Sequence, residues 1–239
     1  MESVWVITKR IASMNKFTFI IYYAFVLLLG AFLPIGVVSA GGEGTVATIS
    51  GGELFTGFFI MAIALTSFTQ SFEYTQFLNI SRKKFFIANF VAVLITSLTL
   101  VVIESTIAYL MMKIEAVEYT SIFTSFYGEG SFISRKVWLF SYFVTASVLG
   151  SLIGILYYRA NQLFRILIWC SPIIAIFASV RLAIYFRVDA SWILAKLFGS
   201  YGFQSGNSNV AVLTGAIVTT TCLALAYLAI RKITIKSGE

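Results

Sequence analysis

The stretch FEYTQFLNISRKKFF, Phe72–Phe86, separates two long apolar runs of the chain and is far more polar than either of them. It ends in three consecutive cations, Arg82, Lys83 and Lys84, followed by two phenylalanines. Each flanking run approaches the length of about 20 residues that a helix needs to cross a bilayer. The pattern therefore predicts a short basic connection between two membrane spans.

The composition of the whole chain predicts an integral membrane protein. Of its 239 residues, 59% are hydrophobic and 11% are charged, whereas a soluble domain has about 25% charged residues. Six apolar runs are candidate spans: 17–38, 54–71, 85–112, 137–158, 166–186 and 210–230. Because little sequence lies outside them, we expect one all-α integral membrane domain, residues 1–239, with six transmembrane helices.

The segments outside the spans predict further elements. Within residues 1–16, four apolar side chains share one stripe of a helix: Val4, Ile7, Ile11 and Met14. Lys9 and Arg10 fall off that stripe, which favours a helix in the membrane interface over a plain charged tail. Residues 113–136 are expected to form a mixed-charge loop. The semi-polar residues 187–209 indicate a re-entrant or surface-lying hairpin before the sixth span.

The distribution of cations predicts the orientation of the chain. With six spans, both termini share one side, and the segments on that side hold eleven of the 17 cations: Lys9, Arg10, Lys16, Arg82, Lys83, Lys84, Arg159, Arg165, Arg231, Lys232 and Lys236. The excess of cations in cytoplasmic loops then predicts that both termini are cytoplasmic. Anionic lipid accounts for the net charge of +7, so no nucleic-acid partner is expected.

The residue inventory argues against an enzyme. The chain has no histidine, and both cysteines, Cys170 and Cys222, lie inside apolar runs. This excludes a Cys/His metal site and a Cys–His nucleophile. The glycine-rich loop 41–52 lacks the preceding strand and following helix of a phosphate-binding loop, and no Walker-type sequence is present. We expect no catalytic residue, no metal and no cofactor in this chain.

Glu104 and Arg181 are the two ionisable residues well inside the predicted spans. At about 1.5 Å per residue, both fall in the outer third of the membrane, at depths that allow a direct or water-bridged pair. An intramembrane charge usually faces a partner or a water-filled cavity. One interpretation is a gate or substrate contact near the outer mouth. The other, which we favour, is a structural ion pair or an Arg181 side chain that reaches the outer headgroups.

The layout resembles that of the ABC-2-type permease subunits of bacterial ATP-binding-cassette exporters, particularly the small ones of Gram-positive bacteria. The resemblance rests on a basic amphipathic N-terminus, six spans, the loop LNISRKKFF, the stretch LGSLIGILYYR at Leu149–Arg159, and a semi-polar segment before the last span. It covers essentially the whole chain. Many relatives have a proline shortly before the basic residue of the second loop, where this chain has Asn79, Ile80 and Ser81.

This resemblance implies an assembly in the bacterial plasma membrane. A second permease chain, forming a homodimer, and two copies of an ATPase subunit that holds ATP and Mg would be its partners. A cytoplasmic coupling helix over about Glu73–Lys84 would sit in a cleft of the ATPase. The coupling residues would be Glu73, Tyr74, Phe77, Leu78, Arg82, Lys83 and Lys84. The cargo implied is an amphipathic peptide, antimicrobial or toxic, or another amphiphile, drawn from the membrane lipids.

Two alternatives remain open at the level of sequence. Within the same class of exporter, the cargo could be a lipid or a polysaccharide precursor. In a different class, the chain is a non-transporting immunity or regulatory membrane protein that binds a sensor or a toxin. An ATP-hydrolysing subunit that co-purifies with the chain would separate the two classes.

Overall fold

The computed structural model describes residues 2–41, 47–50, 52–113, 117–166, 207–231 and 233. Helices account for most of these residues, and their bounds are α1 Glu2–Met14, α2 Lys16–Gly41, α3 Gly52–Phe77, α4 Arg82–Met111, α5 Ile122–Tyr127, α6 Phe132–Arg159 and α7 Ser208–Arg231. Two short strands, β1 Ala47–Ser50 and β2 Val117–Thr120, lie between the helices.

Five helical stretches of the described chain are long and apolar enough to cross a membrane: Val4–Leu28, Gly52–Phe77, Arg82–Met111, Phe132–Arg159 and Ser208–Arg231. The first of them runs through the junction of α1 and α2. The chain is thus a helical protein with membrane-spanning candidates, in agreement with its composition. Of the predicted elements, the fifth span beyond residue 166 and the predicted hairpin up to residue 206 lie outside the described residues.

The helices are longer than the apolar runs that predicted them. Spans 17–38, 54–71, 137–158 and 210–230 each lie inside one helix, and span 85–112 agrees with α4 except at its ends. Hydropathy marks the apolar part of a helix, whereas backbone hydrogen bonding continues into its polar turns. The prediction of a loop over 113–136 is wrong in part, because this segment contains β2, α5 and the start of α6. Ser131 begins α6 by accepting a hydrogen bond from the Ser134 N–H at 3.1 Å.

α6 is the central helix of the described bundle, packed along both α3 and α7. Two glycines one helical turn apart allow α6 and α3 to approach closely. A Cβ atom on Gly150 would overlap the carbonyl oxygen of Met61, and one on Gly154 would lie 2.7 Å from the carbonyl oxygen of Leu65. Small residues at this spacing are typical of contacts between membrane helices.

A two-stranded parallel sheet joins the connection before α3 to the connection after α4. Ala47 pairs with Val117 and Ser50 with Thr120. α5 follows directly, and its Ile122 and Phe123 are buried in a core with Trp138 and Phe143 of α6. The sheet and α5 therefore cover one end of the helical bundle.

α1 packs on the bundle through the stripe that its sequence predicts. Ile7 and Ile11 are buried in a cluster with residues of α3 and α4, while Lys9 and Arg10 are exposed. The Thr8 hydroxyl contacts the carbonyl oxygen of Ala88 in α4 at 3.2 Å. Neighbouring helices therefore bury Ile7 and Ile11 of the stripe, and the placement of α1 in the membrane interface stays a prediction.

Candidate functional site

The turn between α3 and α4 is built by a helix-ending motif around Asn79. Asn79 has a φ of 55°, in the left-handed region that asparagine adopts more readily than most residues. Its N–H donates to the carbonyl of Gln76 at 2.9 Å, and the Ile80 N–H donates to the carbonyl of Thr75 at 3.0 Å. This pair of bonds is the Schellman motif, which ends α3 and turns the chain back.

The prediction of a separate coupling helix over Glu73–Lys84 is corrected by this geometry. Glu73 and Phe77 belong to the last turns of α3, residues 78–81 form the turn, and Arg82 begins α4. The segment is thus the tip of a helical hairpin. Seven predicted coupling residues lie at this tip, but they belong to three consecutive elements.

Three apolar side chains at the tip are exposed, and we call them the apolar knob: Tyr74, Phe77 and Leu78. Their exposed fractions are 44%, 86% and 49%. Glu73, Lys83 and Lys84 are exposed beside them. The guanidinium of Arg10 in α1 lies 5.3 Å from the centre of the Tyr74 ring, a cation–π contact that orients the ring.

Directly behind the knob, four aromatic rings form the buried base of the hairpin, and we call them the aromatic base: Phe68, Phe72, Phe85 and Tyr158. Phe72 and Phe85 are fully buried, with ring centres 5.4 Å apart. Phe72 also contacts Tyr158 of α6, with ring centres 5.6 Å apart. The base therefore holds the ends of α3, α4 and α6 together.

Arg82 joins the hairpin to the last described helix. Its guanidinium donates to the carbonyl oxygens of Arg231 at 2.7 Å and of Ile230 at 3.5 Å. The last carbonyls of a helix lack partners within the helix and carry partial negative charge. Of the three predicted basic coupling residues, Arg82 thus caps α7, whereas Lys83 and Lys84 are exposed.

At the opposite end of the bundle, Glu104 is 5% exposed and is held by hydroxyl groups. Thr56 of α3 donates a short hydrogen bond to its Oε1, and Tyr23 of α2 donates to the same oxygen at 3.3 Å. The single hydroxyl proton of Thr56 is directed to Glu104. The Tyr22 hydroxyl must therefore be the donor in the 2.8 Å hydrogen bond between Tyr22 and Thr56 Oγ1. The predicted partner of Glu104, Arg181, lies outside the described residues.

A second buried carboxylate, which the sequence analysis did not select, lies close to Glu104. Glu53 is 7% exposed and accepts a hydrogen bond of 2.8 Å from the Ile122 N–H at the start of α5. It lies in the first turn of α3, where an acidic side chain ordinarily stabilises a helix through its dipole. The sequence therefore does not distinguish it from a common helix-stabilising residue. Only the contact between α3 and α5 reveals its burial.

Glu53 and Glu104 line a cavity of about 180 Å³ together with Tyr119, Arg135 and Lys136. Burial raises the pKa of Tyr119, and the nearby carboxylates Glu53 and Glu104 raise that pKa further. The phenol therefore remains a hydrogen-bond donor at neutral pH. The cavity combines acidic, basic and hydroxyl groups, which suits water or a polar group of a bound molecule.

No cluster of three His, Cys, Asp or Glu residues that could hold a metal occurs in the described part of the chain. Comparison of the chain with protein-family models, with curated proteins and with solved structures finds no match. The functional assignment therefore rests on the residues themselves and on the layout of the chain.

Proposed function

We propose that this chain is the membrane-spanning permease subunit of an ATP-driven bacterial exporter of the ATP-binding-cassette class. The observation that carries the proposal is the apolar knob. Three exposed apolar side chains stand at the tip of a hairpin whose base is a fully packed aromatic cluster. The separate ATPase subunit docks on this knob, and ATP hydrolysis takes place on that subunit.

The knob has the composition of a protein-docking site. Binding energy at such sites is concentrated in a few buried aromatic and aliphatic anchors within a polar rim. Phe77 is the central anchor, since it is the most exposed of the three, while Lys83 and Lys84 form part of the rim. A cleft in the ATPase lined by apolar residues and acidic groups is the complementary surface.

The packing behind the knob supports transmission of motion. A rigid base is needed if a push on the hairpin tip is to move helices instead of bending a loop. The contact of Phe72 with Phe85 and Tyr158 joins α3, α4 and α6, and Arg82 joins α7 to the same unit. Closure of the ATPase would therefore displace these four helices together.

The cargo we assign is an amphipathic peptide or a similar amphiphile, and the assembly contains two copies of this chain and two ATPase subunits in the bacterial plasma membrane. The cavity beside Glu53 and Glu104 serves as a polar contact at the exit side. Aromatic residues make up 16% of the chain, a composition that suits apolar cargo taken from the lipid phase.

Co-purification with an ATPase tests the proposal. The full chain is purified from its host in mild detergent, and the ATPase activity that accompanies it is measured. We expect an ATP-hydrolysing subunit to remain bound. The double substitution Phe77→Asp and Leu78→Asp is expected to lower the bound activity by a factor of ten or more, because each hot-spot anchor contributes about 2 kcal/mol.

A matched control is available at the same end of the helical bundle. Leu163 and Phe164 are a second exposed apolar pair, located after α6. The double substitution Leu163→Asp and Phe164→Asp is expected to leave the bound ATPase activity unchanged. If no ATPase accompanies the wild-type chain, the exporter proposal fails and the regulatory or immunity alternative gains. If the two double variants lose equal activity, the docking site is not the knob.

A further inference from the structure

A cleft of about 670 Å³ opens between the C-terminal ends of α6 and α7. Its walls are apolar over most of their length: Leu152 and Leu156 from α6, and Leu225, Leu228 and Ala229 from α7. Arg159 and Arg231, the last residues of the two helices, line the same cleft at one end. The cleft therefore has an apolar length and a cationic end.

The dimensions of the cleft match one leaflet of a bilayer. From Leu152 to Arg159, α6 advances about 10 Å at 1.5 Å per residue. Half of the hydrocarbon core of a bilayer is about 15 Å thick. With the arginines at the level of the headgroups, the leucines reach the depth of the acyl chains. Leu156, Leu225 and Leu228 are about half exposed, so the cleft is accessible from the side.

The charge at the end of the cleft favours an anion. A helix C-terminus alone would repel one, because its free carbonyls carry partial negative charge. For α7 this effect is reduced, since Arg82 donates to the carbonyls of Ile230 and Arg231. The guanidinium groups of Arg159 and Arg231 then add two full positive charges. Arginine binds phosphate through two parallel N–H donors.

We propose that this cleft binds one anionic phospholipid from the adjoining leaflet. The lipid phosphate lies between Arg159 and Arg231, and an acyl chain lies along the leucines of α6 and α7. A zwitterionic phospholipid binds more weakly, because its ammonium group is repelled by the same guanidiniums. The site does not depend on an ATPase partner or on the identity of the cargo.

Lipid retention measured by native mass spectrometry tests this site. The full chain is purified in detergent and mixed with phosphatidylglycerol or with phosphatidylcholine of the same acyl chains. We expect the wild type to retain one phosphatidylglycerol preferentially. The double variant Arg159→Gln and Arg231→Gln is expected to reduce that retention on the order of tenfold. The backbone carbonyl of Arg231 that Arg82 contacts remains in this variant.

The control variant removes two other exposed cations at the same end of the protein, by Lys83→Gln and Lys84→Gln. It is expected to change phosphatidylglycerol retention by less than about twofold, because neither lysine lines the cleft and exposed charges are screened by salt. An equal loss in both double variants would show a general electrostatic effect and would overturn the site. Displacement of the lipid by inorganic phosphate alone would overturn the assignment to a phospholipid.

A second pair of variants tests the apolar wall without altering charge. Leu228→Trp narrows the cleft, whereas Ile217→Trp adds the same bulk to an exposed position of α7 outside it. We expect lower lipid retention for Leu228→Trp only. If Leu228→Trp instead converts a dimer to a monomer and leaves lipid retention unchanged, a second copy of the chain occupies the cleft and the proposal is wrong.

Discussion

Asn79 shows how one side chain determines the direction of the chain at the α3–α4 tip. Its φ of 55° is unfavourable for most side chains because the Cβ atom approaches the following carbonyl. Glycine avoids this contact, and asparagine tolerates it better than β-branched residues do. The turn that follows positions Ile80 against the buried cluster that contains Phe72.

Substitutions at Asn79 should follow this backbone preference. We expect Asn79→Gly to leave stability within about 0.5 kcal/mol of the wild type and Asn79→Val to lower it by about 1–2 kcal/mol, because a β-branched residue is strained at positive φ. Unfolding of the purified chain in detergent would measure both. Equal stability of the two variants would mean that residue 79 does not adopt the left-handed conformation.

Thr56 connects three elements through one hydroxyl group. It donates to Glu104 of α4 and accepts from Tyr22 of α2, while belonging to α3 itself. Both residues that it links are partly or fully buried. Removing the donor of a buried acceptor lowers the stability of the fold more than removing the donor of an exposed one, because water does not replace the lost hydrogen bond.

We expect Thr56→Val, which preserves shape but removes the hydroxyl, to lower the free energy of unfolding by about 2–3 kcal/mol, because a carboxylate loses its donor. Thr56→Ser retains the hydroxyl and serves as the control, with an expected loss of about 1 kcal/mol for the missing methyl group. Thermal unfolding in detergent compares the two. The linking role of the hydroxyl is refuted if Thr56→Val is as stable as Thr56→Ser.

Among the described elements, the contact of α6 with α3 depends on small residues. Gly150 and Gly154 face the α3 backbone at Met61 and Leu65. A backbone carbonyl cannot rotate away as a flexible side chain can, so an added methyl group has to separate the helices. The intrinsic helix preference of alanine over glycine, about 1 kcal/mol, opposes this effect but is smaller than the cost of overlap.

The substitution Gly150→Ala is therefore expected to destabilise the chain by about 1–3 kcal/mol, as overpacking does in other close contacts. Gly52→Ala is the matched control, because nothing lies within 4 Å of a Cβ atom at that position. Its expected effect is neutral or slightly stabilising. Unfolding midpoints in the same detergent compare the two, and a neutral Gly150→Ala would contradict the close approach of α6 and α3.

At the scale of the whole molecule, charged groups divide between the two ends of the bundle. Arg82, Lys83 and Lys84 lie at the end that also holds the C-termini of α6 and α7. The buried carboxylates Glu53 and Glu104 lie at the other end, beside the two-stranded sheet. The excess of cations on cytoplasmic segments predicts that the Lys83 end faces the cytoplasm.

Cysteine labelling in intact cells measures this orientation. Lys83→Cys and Glu118→Cys place thiols at exposed positions of opposite ends, in a background in which Cys170 and Cys222 are replaced by alanine. We expect a membrane-impermeant maleimide to label Glu118→Cys in intact cells and Lys83→Cys only after lysis. Labelling of Lys83→Cys in intact cells would place the apolar knob outside and would exclude the proposed ATPase contact.

Properties that repeat along the chain were predictable from the sequence alone. Apolar runs predict helices that suit a membrane, and the interruption at Phe72–Phe86 predicts an exposed basic connection between two of them. The stripe of α1 predicts its buried face. These predictions succeed because each depends on the chemistry of neighbouring residues or on the helical repeat. None of them requires knowledge of distant partners.

Only the tertiary structure decided which distant residues meet. It assigned Arg82 to the end of α7, 149 residues along the chain, and gave the buried Glu53 a partner in α5, 69 residues away. It also placed Ile7 and Ile11 of α1 in one buried cluster with Phe85 and Ala88 of α4. Such contacts arise from how whole helices pack, and a carboxylate or guanidinium has the same local sequence signature whether it is buried or exposed.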